Sequence, residues 1–262
     1  MQAEANGIRI EYRAEGSGTQ WVTLVTGIAN DLSMWDRQAA ALERDFKVLR
    51  YDLRGQGGTE VTAGPYSIEL LLKDLVGLWD VLGIEKTHLI GLGFGGAIVQ
   101  AAAIDYPGRL LRLAPCCCRA QMVPDFAKLW EHLIAEATQN GIESIVEHTV
   151  QRWFSEEFKE ENPQVLEGVR RMIRRTSLQG YLGCIAAFLG LSLEDQIHRI
   201  KARTLYVSGV YDKIGGPPAL MAGLAAKVPG ARHTSVLNAA HIANIQNPGA
   251  FNGVLLGFLR EK

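Results

Sequence analysis

A glycine-rich turn at residues 91–96 has the residue types and spacing of two known chemistries. It stands between an apolar segment that predicts a buried strand and another segment that predicts a helix. In a Gly-x-Ser-x-Gly turn, the sharp bend exposes the hydroxyl of a nucleophilic serine. In a Gly-x-Gly-x-x-Gly turn, a dinucleotide pyrophosphate approaches the helix N-terminus. Gly91, Gly93 and Gly96 match the second pattern, whereas the first fits only if Gly93 stands in the place of the serine.

The surroundings of this turn argue against a dinucleotide. A dinucleotide site predicts an acidic residue at the end of the next strand, about 20 residues further on, to bind the ribose hydroxyls. The sequence has Pro115 and three cysteines at that place, with no carboxylate. Several strand and helix signals also precede the turn, whereas a dinucleotide motif usually opens its domain. We therefore expect no nicotinamide or other organic cofactor.

The serine-type turn predicts three further features in a fixed chain order, and the sequence contains all three. Gly27 and Ile28 follow an early predicted strand, where a loop that stabilises an oxyanion belongs. Asp212 follows a late predicted strand, and His241 follows the last one. An isolated aspartate or histidine is usually solvated or structural. At these strand ends and in this order, however, the two residues are predicted to be the acid and the base of a catalytic triad.

The elements that would position these residues alternate between strand and helix in two stretches of the chain. The predicted strands are 7–12, 21–26, 46–51, the segment before residue 91, 110–114, 204–208 and 233–237. Helices are predicted from residue 31 or 33 to 42, and over 67–82, the segment after residue 93, and 248–260. This alternation predicts an α/β fold with a mostly parallel sheet, helices on both faces, and the strand C-termini along one edge.

The alternation stops between residues 120 and 200. Helices are predicted there over 126–140, 142–154, 163–175 and 181–189, with no strand between them. We therefore predict an α/β core formed by residues 1–119 and 201–262, and a helical cap inserted at residues 120–200.

Composition limits the classes of function. A chain of 262 residues with 47% hydrophobic residues can bury one substantial core. The formal net charge of −1 predicts no surface for nucleic acid or for an anionic membrane. No apolar run reaches the roughly 20 residues that span a bilayer, and residues 1–6 lack the regions of a signal peptide. We expect a cytoplasmic protein with a small-molecule substrate, and a homo-oligomer is compatible with this composition.

The cysteines do not predict a metal site. Cys116, Cys117 and Cys118 are consecutive, so they cannot present the spacing of a zinc site, and no paired histidines accompany them. We predict reduced thiols that behave as small hydrophobic residues at the end of a buried strand, one of which could line a pocket.

Beyond these patterns, the chain resembles the α/β-hydrolase superfamily over nearly its whole length, and within it the 3-oxoadipate enol-lactonase-type hydrolases. The stretches that carry this resemblance are Asp31-Leu-Ser-Met-Trp-Asp36, Tyr51-Asp-Leu-Arg-Gly55, Arg152-Trp-Phe154 and Asn238-Ala-Ala-His241. The chain departs from the family pattern at three positions. Thr26 and Gln56 each replace a usual histidine, and Gly93 replaces the nucleophilic serine.

The resemblance implies hydrolysis of a small carboxylic ester or (enol-)lactone without a metal or organic cofactor. In such an enzyme, the serine attacks the acyl carbon, and a histidine corresponding to His241 takes its proton. Asp212 would orient that histidine, and the backbone N–H groups of Ile28 and Phe94 would stabilise the oxyanion. Gly93 leaves these groups in place but supplies no nucleophilic atom.

Two explanations of Gly93 remain open. The one we favour is that the chain is an inactivated serine-to-glycine variant of a working hydrolase. Alternatively, the glycine is natural. The site would then bind a ligand without chemistry, or would use His241 as the base of a lyase, an isomerase or a direct attack by water.

The residues predicted to line the substrate pocket are large and apolar: Trp35, Trp130, Trp153 and Ile214. Arg119 and Arg152 are candidates for binding a substrate carboxylate.

Overall fold

The computed structural model describes residues 1–261, in which eight strands form one sheet. The strands are β1 (Gln2–Ala5), β2 (Ile8–Glu15), β3 (Trp21–Val25), β4 (Lys47–Tyr51), β5 (Thr87–Leu92), β6 (Leu110–Cys116), β7 (Arg203–Gly209) and β8 (Arg232–Val236). Their order is β1-β2-β4-β3-β5-β6-β7-β8. Pairings of β1 with β2 and of β2 with β4 are antiparallel, and the rest are parallel. The predicted α/β fold with a mostly parallel sheet is therefore confirmed.

Helices cover the sheet. In chain order they are α1 (Asp36–Leu42), α2 (Ile68–Val81), α3 (Phe94–Asp105), α4 (Pro124–Asn140), α5 (Glu143–Trp153), α6 (Glu156–Glu161), α7 (Pro163–Arg174), α8 (Leu178–Leu189), α9 (Pro218–Lys227), α10 (Ala243–Gln246) and α11 (Pro248–Arg260). Helix α1 packs against α11, and α2 packs against α3. Every residue of β5 is buried, as expected of a central parallel strand that is covered on both faces.

The loops that follow the parallel strands all lie at one edge of the sheet, because parallel strands end on the same side. Ile28 follows β3, Gly93 follows β5, Asp212 follows β7 and His241 follows β8. The topology therefore gathers these four positions. The five consecutive helices from α4 to α8 lie between β6 and β7.

The structure corrects several elements of the sequence-based prediction. The segment predicted as one helix up to residue 42 consists of a 3-10 turn at Leu32–Trp35 followed by α1, and Asp31 caps the turn by accepting a hydrogen bond from Ser33 N–H at 2.9 Å. Several elements escape prediction, including α10, which has only four residues. Strand β1 is short and polar, α6 has no buried residue, and α9 buries only three residues, a pattern too short to recognise.

Asp52 holds the loop after β4. Its carboxylate accepts hydrogen bonds from the N–H groups of Leu32 at 2.5 Å and Gly58 at 2.7 Å. Burial nevertheless raises the pKa of Asp52 to about 6, because desolvation of the charged form outweighs these hydrogen bonds. The folded protein therefore binds a proton at Asp52 more tightly than the unfolded chain does.

We expect Asp52 to lower the free energy of unfolding as the pH rises from 3.8, the ordinary pKa of an aspartate, to about 6, the raised pKa of Asp52. In that window the folded state holds more protons than the unfolded state, so the free energy of unfolding falls with rising pH. In the Asp52→Asn variant, residue 52 no longer titrates. The free energy of unfolding of this variant minus that of the unaltered protein should therefore increase as the pH rises across the same window. Urea unfolding at a series of pH values measures this difference. A difference that does not change with pH would contradict the assignment.

Candidate active site

Gly93 forms the apex of the bend between β5 and α3, with φ of 60° and ψ of −120°. Its N–H donates to Cys116 O at 2.9 Å, and its carbonyl accepts from Gly96 N–H at 3.0 Å, so the bend is held from both sides. A Cβ atom added at Gly93 would lie 3.4 Å from Nε2 of His241 and 3.7 Å from its Cε1. Residue 93 therefore faces the imidazole at ordinary contact distance.

The other glycines of this turn are explained by packing. A Cβ atom at Gly91 would lie 2.3 Å from Gly95 O, and one at Gly95 would lie 2.4 Å from Val25 O. A Cβ atom at Gly96 would lie 2.4 Å from the Cβ of Cys118. Real Cβ atoms do not approach other atoms so closely, so the first turn of α3 can pack against β3 and β6 only with glycine at these positions. The spacing that resembles a dinucleotide motif needs no phosphate to account for it.

Asp212 and His241 form a hydrogen-bonded pair. His241 Nδ1 lies 3.1 Å from Asp212 Oδ2. The same carboxylate accepts N–H hydrogen bonds from Ile214 at 2.9 Å, Gly215 at 3.1 Å and Gly216 at 2.9 Å. Burial alone would raise the pKa of Asp212, but His241 and these hydrogen bonds outweigh it, so the pKa is lowered. An ionised Asp212 favours the imidazole tautomer with its hydrogen on Nδ1, and Nε2 is the ring nitrogen that faces residue 93.

Gly215 lies directly against the imidazole ring. A Cβ atom there would be 2.0 Å from Cε1 of His241 and 2.7 Å from Cys117 O. A Cβ atom at Gly216 would be 2.4 Å from the backbone nitrogen of Cys118. The two glycines let the loop that carries Asp212 pass between the ring and the end of β6. We did not identify them from the sequence, although two glycines soon after a candidate acid were a usable signal.

Two backbone N–H groups next to Gly93 are free to bind an anion. Within residues 1–261, neither Ile28 N–H nor Phe94 N–H donates a hydrogen bond. The two loops lie close together, because a Cβ atom at Gly27 would lie 4.0 Å from the nitrogen of Phe94. Phe94 is also the first residue of α3, so the helix dipole adds to the positive potential there. Asn30 steadies the other loop by donating to Ile28 O at 2.8 Å.

A cavity opens beside Gly93 and His241. Three of the four predicted pocket residues, Trp130, Trp153 and Ile214, line it. Trp35 does not, which corrects the prediction: its side chain is fully buried and its ring centroid lies 6.2 Å from that of Phe251. The 3-10 turn before α1 directs this tryptophan under α11 instead of towards the cavity.

Aromatic rings form one wall of the cavity. The ring centroid of Phe188 lies 5.2 Å from that of Phe94, 6.0 Å from that of Phe126 and 5.4 Å from that of Trp130. Ring pairs at such distances and inclinations are mutually stabilising. Helices α4 and α8 thus contribute an apolar surface to the cavity beside Gly93 and His241.

Two arginines also line the cavity. The Arg119 guanidinium lies 4.1 Å from the ring centroid of Phe126 and donates to Ile214 O at 3.0 Å. Arg152 makes no hydrogen bond or ion pair within the part of the chain that the structure describes. Burial lowers the pKa of both side chains from the ordinary value. A partly desolvated cation without a carboxylate partner is suited to an anionic ligand.

The cysteines offer no substitute nucleophile. All four are free and buried, and Cys117 and Cys118 line the cavity. Burial raises the pKa of both thiols well above the ordinary value, so neither is a thiolate at neutral pH. Residues 1–261 contain no group of three or more His, Cys, Asp or Glu side chains placed to hold a metal ion. Over the same residues, no helix is long and apolar enough to cross a membrane.

The sequence matches a known family. A family model for the alpha/beta hydrolase fold matches residues 20–248, and the chain belongs to this family. Within it, the chain is similar to 3-oxoadipate enol-lactonase 2 of Acinetobacter baylyi, with 28% identity over 251 residues that cover 95% of this chain and 92% of that protein.

Solved structures of hydrolases are similar to this chain over nearly its whole length. The enol-lactonase from Burkholderia xenovorans LB400 is 34% identical, with a TM-score of 0.95 over 100% of both chains. A thermophilic esterase from Thermogutta terrifontis, solved with malate bound, is 27% identical, with a TM-score of 0.93 over 99% of this chain and 97% of that one. The chain is thus an α/β hydrolase that resembles enol-lactonases and esterases, and this confirms the resemblance first noted in the sequence.

Proposed function

We propose that this chain is built to hydrolyse a small carboxylic ester or (enol-)lactone that bears a carboxylate, with residue 93 at the nucleophile position. The observation that carries the proposal is the distance of 3.4 Å from a Cβ atom at residue 93 to Nε2 of His241. A hydroxyl on that carbon would come within hydrogen-bond reach of the base. We further propose that residues 120–200 form a cap, since α4, α5 and α8 line the cavity above the core.

The mechanism follows from this geometry. A serine Oγ at residue 93 attacks the acyl carbon while His241 takes its proton, and Asp212 stabilises the resulting imidazolium. The N–H groups of Ile28 and Phe94 stabilise the oxyanion as it forms. His241 then protonates the leaving oxygen, which gives an acyl-enzyme. Water next attacks the acyl carbon while His241 takes its proton, and the bond to the serine Oγ breaks as His241 returns that proton to Oγ.

With Gly93, no covalent acyl-enzyme can form, so we propose that this chain is an impaired form of such a hydrolase. The oxyanion donors and the His241–Asp212 pair remain and support binding. Measuring hydrolysis of an aryl ester and a lactone by Gly93→Ser, and by Gly93→Ser combined with His241→Ala, tests the proposal. A gain that requires His241 supports it, and no gain with either substrate argues for a non-hydrolytic role.

A second candidate function is direct attack by water. Nε2 of His241 faces residue 93, where no side chain competes for it, and Ile28 and Phe94 line the same cavity. His241 would take a proton from a water molecule that attacks the acyl carbon in one step. Slow hydrolysis by the unaltered chain that is lost in His241→Ala would favour this function. A lyase or isomerase would instead release a product without adding water. In a purely ligand-binding protein, His241→Ala would leave ligand affinity intact.

We propose that Arg152, with Arg119, binds the carboxylate of the substrate. Malate, bound to the related Thermogutta terrifontis esterase, is also a carboxylate. In the Gly93→Ser protein, Arg152→Ala should raise the KM of a carboxylate-bearing ester about 10- to 100-fold, which is the usual worth of a hydrogen bond to a charged group. A neutral ester of the same size should show little change.

Steady-state kinetics with the two esters measures this difference, and Arg170→Ala is the matched control. Arg170 lies on α7 and pairs with Glu147 at 2.7 Å on the protein surface, away from the cavity. Equal effects of Arg152→Ala on both esters would show that Arg152 supports packing and does not bind the substrate carboxylate.

A further inference from the structure

Gln246 is a buried side chain that joins the loop carrying His241 to the segment after α5. Its Oε1 accepts hydrogen bonds from Ala240 N–H at 3.0 Å and from Ser155 N–H at 3.4 Å. Its Nε2 donates to Ser155 Oγ at 2.6 Å. Ala240 immediately precedes His241, so a single amide group holds the backbone of this loop against a segment that lies between α5 and α6.

A second link lies on the other side of His241. Ile242 N–H donates to Trp153 O at 3.3 Å. Trp153 lines the cavity and directly follows Arg152, the residue proposed to bind the substrate carboxylate. Both neighbours of His241 are thus linked to residues 153–155, Ala240 through Gln246 and Ile242 directly. These residues extend from the helix that would contact the substrate.

We propose that Gln246 is a positioning residue, which keeps the His241 imidazole in line with residue 93 while residues 153–155 are docked on the core. The proposal rests on the proposed function, because it takes His241 to be the base. Asp212 holds the ring at Nδ1, but a hydrogen bond at one atom leaves the ring free to shift with its backbone. Gln246 fixes the backbone next to His241. The position of the imidazole therefore depends on the position of residues 153–155.

Gln246 itself does not line the cavity beside His241. Its loss should therefore act on the chemical step and leave substrate binding nearly unchanged. Gln246→Leu removes all three hydrogen bonds at similar volume. Gln246→Glu keeps the acceptor for Ala240 N–H and Ser155 N–H, and it can accept a hydrogen bond from the Ser155 hydroxyl.

In the Gly93→Ser protein, we expect Gln246→Leu to lower kcat about 10- to 100-fold, because small misplacements of a catalytic group have effects of this size. KM should change by less than about 2-fold. Gln246→Glu should keep most of the kcat of the Gly93→Ser protein. Ser155→Ala should lower kcat as well. The variant that combines Ser155→Ala with Gln246→Leu should show little further decrease in kcat, because the two side chains act through one link.

Gln38→Leu is the matched control. Gln38 is also buried and donates to Asn244 O at 3.1 Å and Asn252 Oδ1 at 2.9 Å, but it contacts neither residue 240 nor the segment at 153–155. The proposal is overturned if Gln246→Leu leaves kcat unchanged, if only KM changes, or if Gln246→Glu is as slow as Gln246→Leu. Thermal unfolding of each variant establishes that it is folded.

A second measurement separates this inference from the proposed function. If Gly93→Ser shows no hydrolysis, the proposed function fails, and the position of His241 is then read in the unaltered Gly93 chain by NMR. The low-field resonance of the Nδ1 proton, which reports the hydrogen bond to Asp212, should weaken or broaden in Gln246→Leu and persist in Gln246→Glu. An unaltered resonance in Gln246→Leu would overturn the inference.

Discussion

Gly93→Ser should raise kcat/KM for aryl esters and lactones by at least about 10²-fold over the unaltered chain. A hydrolase that lacks one triad member retains only about 10³–10⁴ over the rate in water, whereas a complete site reaches about 10⁶ or more. The substitution adds the missing hydroxyl to a carbon 3.4 Å from the base, beside two N–H groups that donate no other hydrogen bond. Initial rates of ester and lactone hydrolysis measure the gain.

Gly93→Ala is the control for this gain, because it adds the same carbon without the hydroxyl. Both substitutions should lower the melting temperature slightly, since a side chain at φ of 60° and ψ of −120° carries strain of about 1–3 kcal/mol. A gain that also appears in Gly93→Ala, or that survives His241→Ala, would contradict the proposed nucleophile position.

Gly215→Ala should abolish most of the activity of the Gly93→Ser protein. The added carbon would lie 2.0 Å from Cε1 of His241, so the ring must move away from residue 93. Such a displacement of the base should lower kcat/KM about 10²-fold or more. The backbone at Gly215 does not have a positive φ, so the effect arises from the contacts of the added carbon with the ring and with Cys117 O and not from an unfavourable φ at this residue.

Gly253→Ala is the matched control, because a Cβ atom at this position in α11 meets no atom within 4 Å. It should leave kcat/KM of the Gly93→Ser protein unchanged. Kinetics of the two alanine variants, together with their melting temperatures, separates loss of catalysis from loss of folding. Normal activity of Gly215→Ala would contradict the role assigned to the His241 ring.

The fold was predictable because strand and helix signals alternate in the core and because parallel strands end at one edge. The same rule directed attention to Gly93, Asp212 and His241, each of which follows a strand. Chain order was therefore enough to select candidates for the site. It could not supply the distances between them, and their catalytic roles stay a prediction.

Side-chain direction and long-range hydrogen bonds could not be predicted. Trp35 belongs to a stretch that resembles the family, but the 3-10 turn directs its ring towards Phe251, away from the cavity. Gln246 gains its significance from Ser155, a residue 91 positions away in the chain. Gly215 matters because the imidazole packs against it. Each of these contacts depends on how separate loops meet. A local pattern such as the two glycines after Asp212 can mark a candidate, but it cannot predict the contact itself.

The most direct test of the central claim, that residue 93 faces a functional base, is covalent labelling with an alkyl fluorophosphonate followed by intact-mass and peptide mass spectrometry. Gly93→Ser should gain one adduct, on the peptide that contains residue 93. The unaltered chain and the variant that combines Gly93→Ser with His241→Ala should gain none. No adduct on Gly93→Ser, an adduct on another peptide, or labelling that persists without His241 would contradict the account.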